Sequence, residues 1–234
     1  MNNILFLGDS FTWGQGLYFY KWKDENRKFD GELGGMYDSH RDYIRDEDLL
    51  YKDQLSYTGL VSSYYNLSQV KREKNGGSNT DIILDMIPMI DRCNNKIDKL
   101  IFQFTAISRY FFRDLNMSDI ENVIKDDENR YIDDIIRERA NAFFNYIDYT
   151  LSYFSNLYNF QYCYMDWLGD FYQFNPTKFV TYDVDGVQHK HFNPFLEKYK
   201  IDMFIDKTAI IDLHLNKEGQ QILAKSIINY FNEK

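Results

Sequence analysis

At 234 residues, with 44% hydrophobic side chains, the chain is long enough to fold as one domain around a substantial core. No apolar stretch approaches the roughly 18–20 residues needed to cross a bilayer, so no membrane span is expected. A formal net charge of −9 argues against nonspecific attraction to nucleic acid or to an anionic lipid surface.

Asn2-Asn3 leads into a short apolar run, Ile4-Leu5-Phe6-Leu7, which reads as a buried first strand. That run ends at a candidate active site rather than at a cleavage site. No signal peptide is therefore expected, and the expected location is cytoplasmic or otherwise soluble. Residues 18–52 break the pattern with charge clusters, Gly34-Gly35 and several aromatics, and read as an insertion of functional or mobile character. Leu55–Tyr65 has helical spacing, and Leu67–Val70 reads as a second strand. Ser78 or Asn79 can cap a helix through Met89, with Asp81 in its first turn and Pro88 bending or ending it. Leu100–Phe104 reads as the third strand. Asn129–Tyr158 is a long helical stretch, with Ile132, Ile135, Ile136, Phe143, Tyr146 and Ile147 near a 3.6-residue period. Tyr162–Trp167 reads as the fourth strand, and Lys178–Phe192, centred on Asp185-Gly186, as a hairpin. Asn216–Phe231 closes the chain as a helix with Ile222, Leu223, Ile227, Tyr230 and Phe231 facing inward.

Strands alternating with helices predict an α/β protein, a three-layer α/β/α sandwich on a mostly parallel sheet. No repeat or low-complexity linker divides residues 1–234, so a single domain is expected. Cys93 and Cys163 have neither metal-like spacing nor the number for a disulfide framework, and read as reduced thiols. His189-Lys190-His191 share a strand without further ligands nearby and read as hairpin residues. Asp183-Val184-Asp185-Gly186 lacks the later acidic ligand of a calcium loop and reads as a turn. No metal or cofactor is expected. Aromatic residues reach 18%, including 20 Tyr and 19 Phe, which suits either sugar-stacking surfaces or a bulky core. The same choice stands at Trp13, Tyr18, Phe19, Tyr20 and Trp22, which either line a substrate cleft or fill the core.

Two motifs carry chemistry. Gly8-Asp9-Ser10 follows the first strand, where a tight turn lifts a hydroxyl to the carboxyl edge of the sheet. Near the other terminus stands Asp212-Leu213-His214. Serine is a poor nucleophile at neutral pH unless a base takes its proton, and the base needs an orienting partner. Ser10, His214 and Asp212 supply those three roles, although Asp212 could instead only support its loop. No Gly-x-Ser-x-Gly elbow occurs, which argues against a lipase-type α/β-hydrolase.

These blocks resemble the SGNH (GDSL-type) hydrolases. Gly8-Asp9-Ser10 matches the first block, Gly76-Gly77-Ser78-Asn79 the second and Asp212-Leu213-His214 the last. The third block departs: the family's Gly-x-Asn-Asp is replaced by Thr105-Ala106-Ile107-Ser108, with no Asn. The resemblance implies a flavodoxin-like α/β/α sandwich with Ser10, Gly77 and Thr105 after strands one to three. It puts Asp212 and His214 on a loop before the last helix. It also implies acyl transfer, with the backbone N–H groups of Ser10 and Gly77 as oxyanion donors. The vacancy left by the missing Asn falls to the Asn79 amide, with the Thr105 hydroxyl as its rival. Arg109 binds an anionic substrate group or makes a structural salt bridge, and Trp13 is offered as a substrate contact. The expected substrate is a small-molecule or glycan ester, with an O-acetyl group on a carbohydrate favoured. A catalytically degraded glycan- or protein-binding module and an acyltransferase are the alternatives.

Overall fold

The computed structural model describes residues 2–27, 43–72, 79–93, 96–105, 129–167, 169, 171–205 and 208–234. Strands β1 (Asn3–Leu7), β2 (Ser68–Lys71), β3 (Ile97–Phe104) and β4 (Gln161–Asp166) form a parallel sheet in the order β2-β1-β3-β4. Leu5 pairs with Val70 on one side and Leu100 on the other, and Ile101 pairs with Cys163. Parallel neighbours need long crossovers, and the described residues hold eight α-helices. They are α1 (Ser10–Trp13), α2 (Tyr18–Asp24), α3 (Asp46–Leu55), α4 (Tyr57–Tyr65), α5 (Asn79–Arg92), α6 (Asn129–Tyr158), α7 (Leu196–Tyr199) and α8 (Lys217–Asn232).

Alternation along β1 divides its side chains between two cores. Ile4 and Phe6 pack with Ile101, Cys163 and Met165 against Tyr57 and Val61 of α4 and Leu223 and Ile227 of α8. Leu5 and Leu7 pack with Leu100, Phe102 and Phe104 against Ile82 and Met86 of α5 and Phe144 and Ile147 of α6. Helices thus cover both faces of the sheet, an α/β arrangement compatible with a three-layer sandwich. Among the described residues, no helix is long and apolar enough to cross a membrane.

Several local readings need correction. Pro88 does not end its helix, which continues to Arg92. The carbonyl that Pro88 leaves without a donor belongs to Leu84, and both residues are exposed, so water can serve it. On α6 the inward stripe is Ala140, Phe144, Ile147 and Leu151, whereas Tyr146 points outward with 59% of its surface exposed. The side chains of Ile132, Ile135 and Ile136 lie outside the described residues. On α8, Leu223, Ile227 and Phe231 are buried, as expected, while Ile222 and Tyr230 are only partly covered.

The hairpin forms from β5 (Tyr182–Val184) and β6 (Val187–His189), turning on Asp185 and Gly186 with φ of 55° and 78°. Two positive φ values suit the two-residue turn that matches strand twist. A second hairpin was not foreseen: β7 (Lys200–Ile205) and β8 (Thr208–Leu215) pair antiparallel as a separate sheet. Behind it lies the first part of the 18–52 insertion. Tyr18, Phe19 and Trp22 of α2 are fully buried and pack against Ile201, Met203, Ile205 and Ile210, so these aromatics are core. Residues 28–42 of the insertion lie outside the described residues.

An ion-pair cluster ties α2 to α3. The two terminal guanidinium nitrogens of Arg27 donate to the buried Asp48 carboxylate at 2.8 and 2.9 Å, and the Arg45 backbone N–H donates to it at 2.9 Å. Burial alone would push the Asp48 pKa up, but these bonds outweigh it and hold the carboxyl at about 2. A pKa lowered by folding adds stability above the unfolded value, and that stability is lost as pH falls through the folded one. Unfolding curves should therefore lose about 2 kcal/mol between about pH 4 and pH 2. Asp48→Asn should flatten that part of the pH dependence.

Candidate active site

The strand order reverses between β1 and β3, and open α/β sheets bind ligands at the carboxyl ends flanking such a point. Ser10 leaves β1 and Thr105 leaves β3, so both stand at this edge. Ser10 is the first residue of α1, half-buried, after a turn that needs Gly8 bare. A Cβ at Gly8 would lie 1.9 Å from Thr12 Oγ1 and 3.1 Å from Gln103 Cβ. Asp9 caps α1, its Oδ1 accepting the Phe11 N–H at 3.0 Å. Arg72 donates to the Gly8 carbonyl at 3.2 Å and to Asp85 at 2.7 Å.

His214 reaches this turn from the far end of the chain. Its Nε2 lies 2.7 Å from Ser10 Oγ, across a separation of 204 residues. Its Nδ1 contacts Asp212 Oδ1, and an acceptor there fixes the proton on Nδ1 and leaves Nε2 free to take the serine proton. The two residues lie on β8 rather than on the expected loop. The reason they can cooperate two positions apart is a break in register. Lys200 pairs with Leu215 and Ile201 with Asp212, so Leu213 and His214 are extra residues on β8. Bulges re-aim side chains, and the extra backbone N–H needs a partner. The His214 N–H donates to Asp212 Oδ1 at 2.9 Å. One carboxylate oxygen thereby meets both the bulged backbone and the imidazole.

Asp212 is 3% exposed. Burial raises its pKa, but the hydrogen bonds from the His214 ring and backbone, with a smaller one from Gln15, leave it below the ordinary value. Close backbone approach matters here as well. Gly16 has φ of 82°, and a Cβ on it would meet Ile201 Cδ1 at 2.6 Å and Asp212 Oδ2 at 3.1 Å. The Gly14-Gln15-Gly16 turn thus lies against the carboxylate.

The oxyanion candidates fall differently. Asn79 is fully buried; its Nδ2 donates to the Thr105 carbonyl at 2.9 Å and its Oδ1 accepts the Thr105 N–H at 2.8 Å. That pair commits the amide oxygen and one N–H to joining α5 to the exit of β3. The second N–H is the part of Asn79 that can still meet an oxyanion. Thr105 itself is 3% exposed. Gly77, Arg109 and the Trp13 side chain lie outside the described residues; Trp13 ends α1. Among the described residues, no group of three His, Cys, Asp or Glu side chains could hold a metal ion.

An aromatic wall stands beside the imidazole. Phe11 lies 4.6 Å from the His214 ring, centroid to centroid, and Phe11 in turn packs on Trp167 and Phe192. Trp167, half-buried, follows β4 directly at the same edge of the sheet. Its loop is held by the buried Asp166 carboxylate, which accepts the N–H groups of Gly169, Phe171 and Tyr172 at 3.0, 2.7 and 2.9 Å. Sequence reasoning missed Phe11, Trp167 and Gln103. Gln103 had a signal, being a polar residue inside the apolar run Leu100–Phe104.

Comparison with protein families, with curated proteins and with solved structures found no match to this chain.

The Asn79–Thr105 pair gives a direct expectation. Asn79→Ala removes two buried hydrogen bonds and leaves a backbone donor and acceptor unpaired. Denaturant titration should find a loss of about 2–4 kcal/mol in unfolding free energy.

Proposed function

We propose that the chain is a serine esterase related to the SGNH hydrolases, built on their three-layer α/β/α plan and acting on acyl esters. The observation that carries this reading is the 2.7 Å contact of Ser10 Oγ with His214 Nε2, with Asp212 on the opposite ring nitrogen. Residues 204 positions apart meet in the hydrogen-bonded order that serine activation requires. The position of Ser10 at the switch point of the sheet supports it independently, since that is where a ligand has access.

In this mechanism Ser10 Oγ attacks the ester carbonyl while His214 Nε2 accepts its proton. Asp212 holds the ring tautomer and stabilises the imidazolium that forms. The tetrahedral oxyanion receives the Ser10 and Gly77 backbone N–H groups, with the second N–H of Asn79 or the Thr105 hydroxyl as third donor. His214 then returns the proton to the departing alcohol, and water repeats the sequence on the acyl-enzyme. The favoured substrate is an O-acetylated carbohydrate, because Trp167 offers a half-buried indole beside the site, on which a sugar ring can stack.

A fluorophosphonate probe should label the native protein at Ser10, and p-nitrophenyl acetate should be hydrolysed. Ser10→Ala and His214→Ala should each lower kcat by about 10³-fold or more without unfolding the chain. A correctly folded native protein that neither labels nor turns over would support the binding-module alternative instead. Trp167→Ala should raise KM for an acetylated oligosaccharide by about threefold to tenfold, a larger effect than on p-nitrophenyl acetate.

A further inference from the structure

Gln103 is the penultimate residue of β3, with no exposed surface, on the face shared by Ile101. An amide in that position costs free energy unless both its atoms are hydrogen-bonded. Both are. Gln103 Oε1 accepts the Thr12 hydroxyl at 2.7 Å, and Nε2 donates to Asp9 Oδ1 at 2.7 Å. Turning the amide over would set its oxygen against the Asp9 carboxyl, so the orientation is fixed by its partners. Thr12 has one hydroxyl proton, committed to Gln103, so the 2.9 Å contact with Tyr57 is a bond donated by the tyrosine.

A directed chain results, from Tyr57 on α4 to Thr12, to Gln103, to Asp9. It ends on the backbone, because the same Asp9 Oδ1 accepts the Phe11 N–H at 3.0 Å. Asp9 and Phe11 are the two neighbours of Ser10, and Thr12 lies on its helix. The bare Gly8 leaves room for the Thr12 hydroxyl, since any Cβ there would meet it at 1.9 Å. Resting on the esterase reading above, we propose that Gln103 is a positioning residue: through Asp9 and Thr12 it fixes the nucleophile turn so that Ser10 Oγ meets His214 Nε2.

Two substitutions separate this role from mere packing. Gln103→Leu keeps the volume and removes both bonds. Gln103→Glu keeps the shape and makes the Asp9 bond depend on protonation. A neutral carboxyl donates its O–H to Asp9 as the amide does, whereas an ionised one repels it. Among the described residues, the other titratable and charged groups around this network are Tyr57 of α4, Cys163 of β4, Tyr182 of β5, Arg72 with Asp85 at the Gly8 carbonyl, and His214 with Asp212 of β8. Burial pushes Tyr57, Cys163 and Tyr182 upward, out of the assay range. A new alkaline limb therefore belongs to the introduced carboxyl.

The experiment measures kcat and KM for p-nitrophenyl acetate from pH 5 to 9, with circular dichroism to establish folding and amide hydrogen exchange at Phe11. Gln103→Leu should lower kcat about 10- to 100-fold with KM within about twofold, as expected when a reacting group is misplaced by about 1 Å. Gln103→Glu should approach native activity on the acidic side and fall away on the alkaline side. If Gln103→Leu does not fold, the Gln103→Glu profile decides. Native kcat in a folded Gln103→Leu protein, or a Gln103→Glu profile parallel to the native one, would overturn the proposal. If the native protein is inert toward ester and probe, the esterase reading fails by itself. The positioning claim then rests on exchange: at least about tenfold faster exchange of the Phe11 amide in Gln103→Leu, or in Gln103→Glu on the alkaline side, sustains it, and unchanged exchange ends it.

Discussion

Burial of β1 on both faces constrains everything else in this molecule. Its four residues from Ile4 to Leu7 have no exposed surface, two belonging to each core. A strand of this kind cannot lie at an edge, so it takes a hydrogen-bonded neighbour on each side, β2 and β3. It also needs apolar cover above and below, supplied by α4 and α8 on one face and α5 and α6 on the other. Because those neighbours run parallel to it, each crossover returns the chain to the same starting edge. The strands therefore leave at one common edge, and the turn after β1 stands at its centre.

The remaining part of the site comes from outside this sheet. β7 and β8 form their own hairpin, mounted on the aromatic side chains of α2, and its His214 meets the turn after β1 at Ser10. A buried carboxylate stands on each side of that contact, Asp9 on one and Asp212 on the other, and each accepts two hydrogen bonds on its Oδ1. Asp212 Oδ1 takes the backbone and ring N–H groups of His214. Asp9 takes Phe11 and Gln103. Such networks are rigid because losing one member leaves another unpaired in a low-dielectric interior. Rigidity on both sides is what lets the Ser10–His214 hydrogen bond keep one geometry between two distant segments.

The long helix α6 illustrates how periodicity informs and misleads. Asn129–Tyr158 was legible as a helix, with the same limits in sequence and structure. The inward face was less so, since Tyr146 has the spacing of the core stripe but lies one position from Ile147, which occupies it. Aromatic residues are large enough to look like core wherever they fall, and in a chain with 20 tyrosines spacing alone does not sort them. The α2 aromatics show the other side of the same ambiguity. They resemble a cleft lining by composition, yet they are buried against a hairpin that the sequence pattern did not reveal.

The amino-acid sequence alone determined the strand–helix alternation, the four parallel strands, the Asp185-Gly186 turn and the identity of Ser10, Asp212 and His214 as a set. These follow from short-range causes: apolar runs, φ preferences and residue types whose chemistry is recognisable in a few positions. Tertiary structure decided the rest. The strand character of Thr208–Leu215 depends on pairing with Lys200–Ile205, and the bulge at Leu213–His214 exists only as a mismatch between two strands. Asn79 reads locally as a cap or an oxyanion donor, but its amide is engaged by the backbone of Thr105, 26 residues away. Gln103 looks like an interruption of an apolar strand until Asp9 and Thr12 are brought against it. A hydrogen bond between distant residues depends on where two backbones come to rest, and no local pattern carries that information.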